Sequence, residues 1–288
     1  MRVTFWGVRG SIPTPGPETV RVGGNTSCIE VRTPDGDLLI LDAGTGIRPL
    51  GLALQASSED RVIGHIFLSH THWDHIQGLP FFTPARRRGN RFTILGEKRV
   101  DERLERVLAG QYMDTYLPFS LKEMDADMLI KEIRDGETVV LGEHTLVTAR
   151  RMDHPGGVFS YRIVWRGISL VYATDLRHPV GAIDDRLVEF SRGADLLIHD
   201  AQFSPEEALR FPDWGHSSWG QAAEVAEAAQ VKRLALFHHS PTSSDDMLEA
   251  LETQLQVQLP QAFLSREGMT IDLGSPDIPD RGRVNSSP

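Results

Sequence analysis

Cysteine is nearly missing from this chain: its 288 residues include only Cys28. A disulfide scaffold and a cysteine-built zinc module are therefore both excluded within it. Basic charge is also in deficit. Thirty Lys and Arg face forty Asp and Glu, a formal net charge of −10, which disfavours a broad, non-specific nucleic-acid surface. No run of about 18 apolar residues is available to span a membrane. The opening Met1-Arg2-Val3-Thr4-Phe5-Trp6-Gly7 lacks a signal-peptide stretch, so a cytoplasmic location is expected. Repeats and low-complexity tracts are absent too. What the chain has instead is eleven histidines. A metal held here is held by imidazole and carboxylate.

The length suffices for a large buried core. Residues 1–274 show no linker and read as one domain. Residues 275–288 have three prolines and little to bury, and read as a disordered tail. Short apolar or alternating runs bounded by Gly, Pro, Asp or Ser predict strands at 2–6, 28–32, 38–41, 62–68, 92–95, 145–150, 159–165, 168–173, 196–198 and 233–237. Apolar spacing of three to four predicts helices at 47–55, 97–108, 219–230 and 245–256. Ser217-Ser218 and Ser243-Ser244 stand before the last two as N-caps. Strands and helices mixed along the whole length imply sheets covered by helices, an α/β or α+β layered fold.

The densest chemical signal is His70-Thr71-His72-Trp73-Asp74-His75, directly after the apolar Ile66-Phe67-Leu68. Positions 70 and 72 share one side of an extended chain, and 74 and 75 come round as a helix begins. Three imidazoles and a carboxylate within six residues suit zinc, manganese or iron rather than calcium or magnesium.

This HxHxDH segment, continuing Ile76-Gln77-Gly78-Leu79-Pro80, resembles the signature of the metallo-β-lactamase-fold hydrolases. That resemblance implies an αββα sandwich of two mixed β-sheets flanked by helices. It also implies further ligands: His154 in Met152-Asp153-His154-Pro155, Asp175 in Tyr172-Ala173-Thr174-Asp175, and His238 in Phe237-His238-His239-Ser240. His239 is the reserve for His238. Within the superfamily, Gly7-Val8-Arg9-Gly10-Ser11, Gly24-Asn25-Thr26-Ser27 and Leu41-Asp42-Ala43-Gly44-Thr45-Gly46 look like the branch containing tRNase Z and small phosphodiesterases. So do His199-Asp200-Ala201 and Gly215-His216-Ser217-Ser218, although Asp200 stands where that branch carries Glu and Ser218 where it carries Thr.

The resemblance implies two divalent ions, zinc foremost with manganese or iron as alternatives. His70, His72 and His154 would hold one, and Asp74, His75 and His238 the other. Asp175 would bridge them, with a shared hydroxide as nucleophile. His216, oriented by Asp200, would protonate the leaving oxygen, and Asp42 would orient a ligand from behind. Aspartate at 175, where many true metallo-β-lactamases place cysteine, argues against lactam chemistry. Intact histidines in the first motif argue against oxygen chemistry.

The expected activity is phosphodiester hydrolysis on small substrates such as cyclic nucleotides, because the charge is acidic and no tRNA-binding arm is evident. An RNA-processing endonuclease is the alternative, and thioester, lactone or lactam hydrolysis a third reading. The basic cluster Arg86-Arg87-Arg88 with Arg91 is either a phosphate grip or a solvated loop. Residues 112–119, from Tyr112 to Phe119, form an aromatic stretch that is either a lid over a nucleobase or packing, in the core or in a homodimer. His65, His144, His178 and His199 read as structural, and Cys28 as a small buried residue.

Overall fold

The computed structural model describes residues 1–57, 60–120 and 123–274; the tail expected to be disordered lies outside the described residues. Sheet one is built from β1 (Arg2–Gly7), β2 (Cys28–Arg32), β3 (Leu38–Leu41), β4 (Ile63–Phe67), β5 (Arg91–Glu97), β6 (Asp127–Ile133) and β14 (Thr270–Asp272), in the order β14-β1-β2-β3-β4-β5-β6. Sheet two is built from β7 (Thr138–Leu141), β8 (Thr145–Met152), β9 (Val158–Trp165), β10 (Ile168–Ala173), β11 (Leu196–Asp200), β12 (Leu234–Phe237) and β13 (Ala262–Leu264), ordered β13-β12-β11-β10-β9-β8-β7. Strands β3 to β6 run parallel, as do β10 to β13. The central parallel strands are buried on both faces: Leu38-Leu39-Ile40-Leu41 and Leu234-Ala235-Leu236-Phe237 expose nothing. Such strands read as continuous apolar runs because each face meets a packed layer.

Between the sheets lie Phe5, Leu39, Leu41, Phe67, Tyr161, Ile163, Tyr172 and Phe237. Helix α1 (Ile47–Ala56) and α3 (Leu104–Gly110) contribute Ile47, Leu50 and Leu108 to a second core with Ile40, Ile66 and Phe92 of sheet one. Helices α4 (Asp185–Ser191), α6 (Trp219–Ala228) and α7 (Asp245–Gln258) bring Leu187, Val225 and Leu248 to the core of sheet two. The short α2 (Trp73–Ile76) carries Asp74 and His75 and adds Ile76 to the second core, and α5 (Pro205–Arg210) buries none of its residues. The layers are therefore helix, sheet, sheet, helix, as the family resemblance implies.

Most strand expectations match within two residues. The helix expected over 97–108 does not form as such: Glu97 closes β5, and helix begins only at Leu104. The Glu97 side chain is held by Arg151 at 2.6 Å, and the Leu104 N–H donates to Glu132 at 2.9 Å. Both partners are distant in sequence, so local spacing could not report them.

Candidate metal centre

The residues of the centre gather at the C-terminal ends of strands. Asp42 follows β3, His70 follows β4, His154 follows β8, Asp175 follows β10 and His238 follows β12, while Asp200 is the last residue of β11. Parallel neighbours end at the same edge, and β8 runs with β10 because both are antiparallel to β9. Open α/β sheets place ligands outside the carboxyl ends of their strands for this reason.

Ligand atoms of His70, His72 and His154 lie within 4.8 Å of one another, as do those of Asp74, His75, Asp175 and His238. His72 Nδ1 is 3.1 Å from His154 Nε2. Nε2 atoms of His75 and His238 each lie 3.2 Å from Asp175 Oδ2, and His70 Nε2 lies 4.0 Å from Asp175 Oδ1. Asp175 thus turns one oxygen toward each group. His238 Nε2 also meets Asp74 Oδ2 at 3.1 Å. His239 turns the other way, toward the Ser265 carbonyl at 3.0 Å, so His238 is the one that faces the cluster.

The centre is buried apart from His72, and its charge is set by that burial. Burial, reinforced by His75, holds His70 well below the ordinary histidine value. For Asp74 and Asp175, burial alone would favour the neutral acid, but His75 and His238 outweigh it and keep both carboxyls far below the usual range. Conversely, burial opposes a charged His75, yet Asp74, Asp175 and Asp42 hold it well above its usual value. Two ionised, buried carboxylates demand positive charge at this spot. The His70 and His75 Nε2 atoms are buried without a hydrogen-bond partner. Imidazole and carboxylate donors without thiolate suit a divalent cation such as zinc, and Cys28 is fully buried on β2.

Behind these candidate ligands stands Asp42. Its Oδ2 lies 2.7 Å from His75 Nδ1 and accepts from Tyr172 at 2.6 Å and Ser69 Oγ at 2.8 Å, while Oδ1 accepts from the Ser69 N–H at 2.7 Å. This turns His75 Nε2 toward the cluster. His154 Nδ1 donates to the Gly215 carbonyl at 2.9 Å, leaving its Nε2 to face His72. The Ser11 N–H donates to Asp74 Oδ2 at 2.8 Å. Sequence reasoning misses Ser11, Ser69 and Tyr172 as site residues, since no ligand type or spacing marks them.

His216 and Asp200 come together as expected: His216 Nδ1 is 2.9 Å from Asp200 Oδ2, and the Gln202 N–H donates to Asp200 Oδ1 at 2.9 Å. The His216 ring stacks 5.2 Å from that of His238. Burial pulls His216 downward, but Asp200 outweighs it and lifts the ring to about 9. Asp200, His216 and His238 form a third cluster of donor atoms; the close His216–Asp200 bond places a proton, rather than an ion, between those two.

The outer features resolve differently. Arg86 lies over the Phe119 ring at 4.3 Å and Arg91 pairs with Asp127 at 2.7 Å. Tyr112 is buried, and Phe119 packs on Tyr112 and Phe81. Tyr112, Leu117 and Phe119 therefore join the packing on sheet one, while Tyr116 between them is 65% exposed.

A helix–sheet–sheet–helix sandwich with imidazoles and carboxylates gathered at its strand ends defines a metal-dependent hydrolase of the metallo-β-lactamase fold. Residues 38–239 match the family model described as the beta-lactamase superfamily domain, and the chain belongs to that family. It is similar to ribonuclease Z of Thermoplasma acidophilum, 29% identical over 285 residues, covering 85% of this chain and 88% of that protein. Among solved structures, the short form of human tRNase Z matches with a TM-score of 0.70 at 22% identity, covering 96% of this chain and 100% of the other. A diphosphatase from the PhnP family matches with a TM-score of 0.68 at 21% identity, covering 94% and 97%. These two likenesses concern the fold. Among the described residues, no helix is long and apolar enough to cross a membrane.

Proposed function

We propose that this protein is a dinuclear-metal phosphodiesterase that cleaves RNA, with His216 as the acid for the leaving oxygen. The observation that carries the reading is the His216–Asp200 pair at 2.9 Å, beside the ligand cluster. Acyl transfer to water from thioesters expels a thiolate, which needs less protonation. A phosphodiester's alkoxide leaves poorly, and a positioned acid contributes about 100- to 10,000-fold. The preference for RNA over cyclic nucleotides reverses the order expected from the acidic charge and the absence of an evident tRNA-binding arm. It rests on the name of the Thermoplasma relative and on the human tRNase Z fold likeness; the small-substrate reading keeps the net charge of −10 in its favour.

His70, His72 and His154 would hold one divalent ion, and Asp74, His75 and His238 a second, with Asp175 facing both. Such ions supply positive charge to the phosphoryl oxygens and acidify water toward neutrality. The chain's own residues do the rest. Asp42 fixes the His75 ring through Nδ1, and Asp200 fixes His216 so that Nε2 is free to donate. With its value lifted to about 9, His216 carries that proton at neutral pH.

The deciding assay presents zinc- and manganese-loaded protein with RNA bearing a 3′ extension, cyclic nucleotides, bis-p-nitrophenyl phosphate and thioesters. Cleavage of RNA, lost by at least 100-fold in His216→Ala but far less reduced on the p-nitrophenyl ester, is expected. Turnover of thioesters with no diester cleaved would overturn the proposal, and turnover of cyclic nucleotides alone would return it to the small-substrate reading.

A further inference from the structure

Residues 204–214, between β11 and His216, add nothing to the core. Helix α5 buries none of its residues, and Leu209 and Trp214 are 73% and 60% exposed. Yet the segment is built rigidly. Ser204 and Glu207 close a capping box at its start, and Ser218 and Gln221 close another at the head of α6. Phe203 and Ser218 are bridged at its base, where the Phe203 N–H donates to the Ser217 carbonyl and the Trp219 N–H to that of Phe203. A rigid, core-free excursion beside a reaction centre needs another reason to exist.

Its inward face gives one. The Phe203 ring meets His216 edge-on, with centroids 5.6 Å apart, and touches Phe211 at 5.9 Å and Trp214 at 6.3 Å. Phe211 and Trp214 lie 5.0 Å apart, and Arg210 rests over Phe211 at 5.2 Å. Trp214 is anchored by the next residue: the Gly215 carbonyl is the one that accepts from His154. Gly215 has a φ of 83°, and a Cβ there would sit 2.5 Å from His154 Nδ1, so this close approach to the centre requires glycine.

We infer that Trp214, supported by Phe203 and Phe211, is a stacking platform for the aromatic base on the leaving side of a nucleotide diester. The inference rests on the proposed role of His216: the wall next to the group that protonates the leaving oxygen is the wall the leaving half must pass. An exposed indole offers its face to any base, so recognition here is tolerant of sequence. Arg210 adds a cation beside the same wall. Trp73, 61% exposed between His72 and Asp74, is a second indole at the rim, but no ring contact ties it to the acid.

Two measurements test this on the full chain. In the first, adenosine 5′-monophosphate and ribose 5-phosphate are titrated against tryptophan fluorescence without turnover, with calorimetry giving the affinities. Quenching by the nucleotide alone, abolished in Trp214→Ala, is expected, with the nucleotide's affinity largely kept in Trp214→Phe. Equal response in wild type and Trp214→Ala, or none in either, overturns the platform even if diesters are cleaved. The second uses the metal-loaded enzyme on an RNA cleaved at a mapped bond and on the same RNA made abasic at its leaving-side nucleotide. Trp214→Ala should lower kcat/KM on the intact RNA by about 5- to 100-fold, and by several-fold less on the abasic one. Equal losses on both overturn the inference, as does a change of oligomeric mass in Trp214→Ala, which would assign the surface to a second copy. If no RNA is cleaved but the nucleotide still quenches Trp214, the functional proposal fails and the platform stands.

Discussion

Ser11, Asp42, Asp175 and His238 all hold positive φ, between 52° and 62°, a region that L-residues other than Asn and Asp rarely enter. Such strain costs about 1–3 kcal/mol per residue and persists where surrounding bonds over-determine it. Asp42 shows how, since its carboxylate is fully buried and engaged by His75, Tyr172 and Ser69. Asp42→Asn turns one acceptor into a donor facing donors. We expect metal affinity to fall about 10- to 100-fold, read by competition with a chromogenic chelator; unchanged affinity would remove Asp42 from the support of His75. His178 makes a separate residue-level prediction. Burial, with His199 as its neighbour, pushes it from 6.5 down to about 3. Between those values the unfolded chain binds a proton that the folded chain does not, so stability drops as pH falls through the window. This one ring should cost about 2 kcal/mol between pH 7 and pH 5. Urea unfolding of His178→Gln should show a correspondingly shallower pH dependence, and parallel curves for the two proteins would refute it.

At the level of elements, helix α2 is only four residues long and makes no cap bond through a side chain. Backbone docking fixes it: the Ala43 N–H donates to the His75 carbonyl at 2.7 Å, and the Gly78 N–H to the Ala43 carbonyl at 2.9 Å. A Cβ at Gly78 would fall 2.0 Å from the Gly44 carbonyl oxygen, and one at Gly44 2.3 Å from that of Asp74. Backbone cannot yield as a side-chain tip can, so Gly78→Ala must shift α2 and carry Asp74 and His75 with it. Loss of bound metal together with a drop of several degrees in melting temperature is expected. Gly16→Ala, with nothing within 4 Å of the new Cβ, serves as the control and should melt within a degree or two of wild type; equal behaviour of the two variants would discredit the docking account. Elements defined by their own residues are legible in the sequence. Ser218 and Ser244 do cap α6 and α7, because a cap is a contact over three residues. The half-exposed β6 and β7 are not legible there, since their apolar alternation is weak and partners far away in sequence define them.

For the molecule as a whole, the centre is a joint between two sheets. His70, His72, Asp74 and His75 follow β4 of sheet one, whereas His154, Asp175 and His238 follow strands of sheet two. An ion bound by both halves cross-links them and stabilises only the folded state, by about 2.7 kcal/mol at a hundredfold excess over Kd. Stripping metal with a chelator should therefore lower the melting temperature, added zinc or manganese should restore it, and His70→Ala should respond much less. A melting temperature indifferent to chelator would argue that the cluster holds no ion. In the sequence, HxHxDH by itself is a legible set of candidate donors after an apolar run, because it is a property of neighbouring residues, whereas His154, Asp175 and His238 stand out only through the family resemblance. Only the tertiary structure decided that His238 rather than His239 faces the cluster, that Asp42 reaches His75 across 33 positions, and that Tyr112 and Phe119 pack while Tyr116 and Trp214 stand exposed. Those outcomes depend on distances between segments far apart in the chain, and such distances exist only once the two sheets have closed on each other.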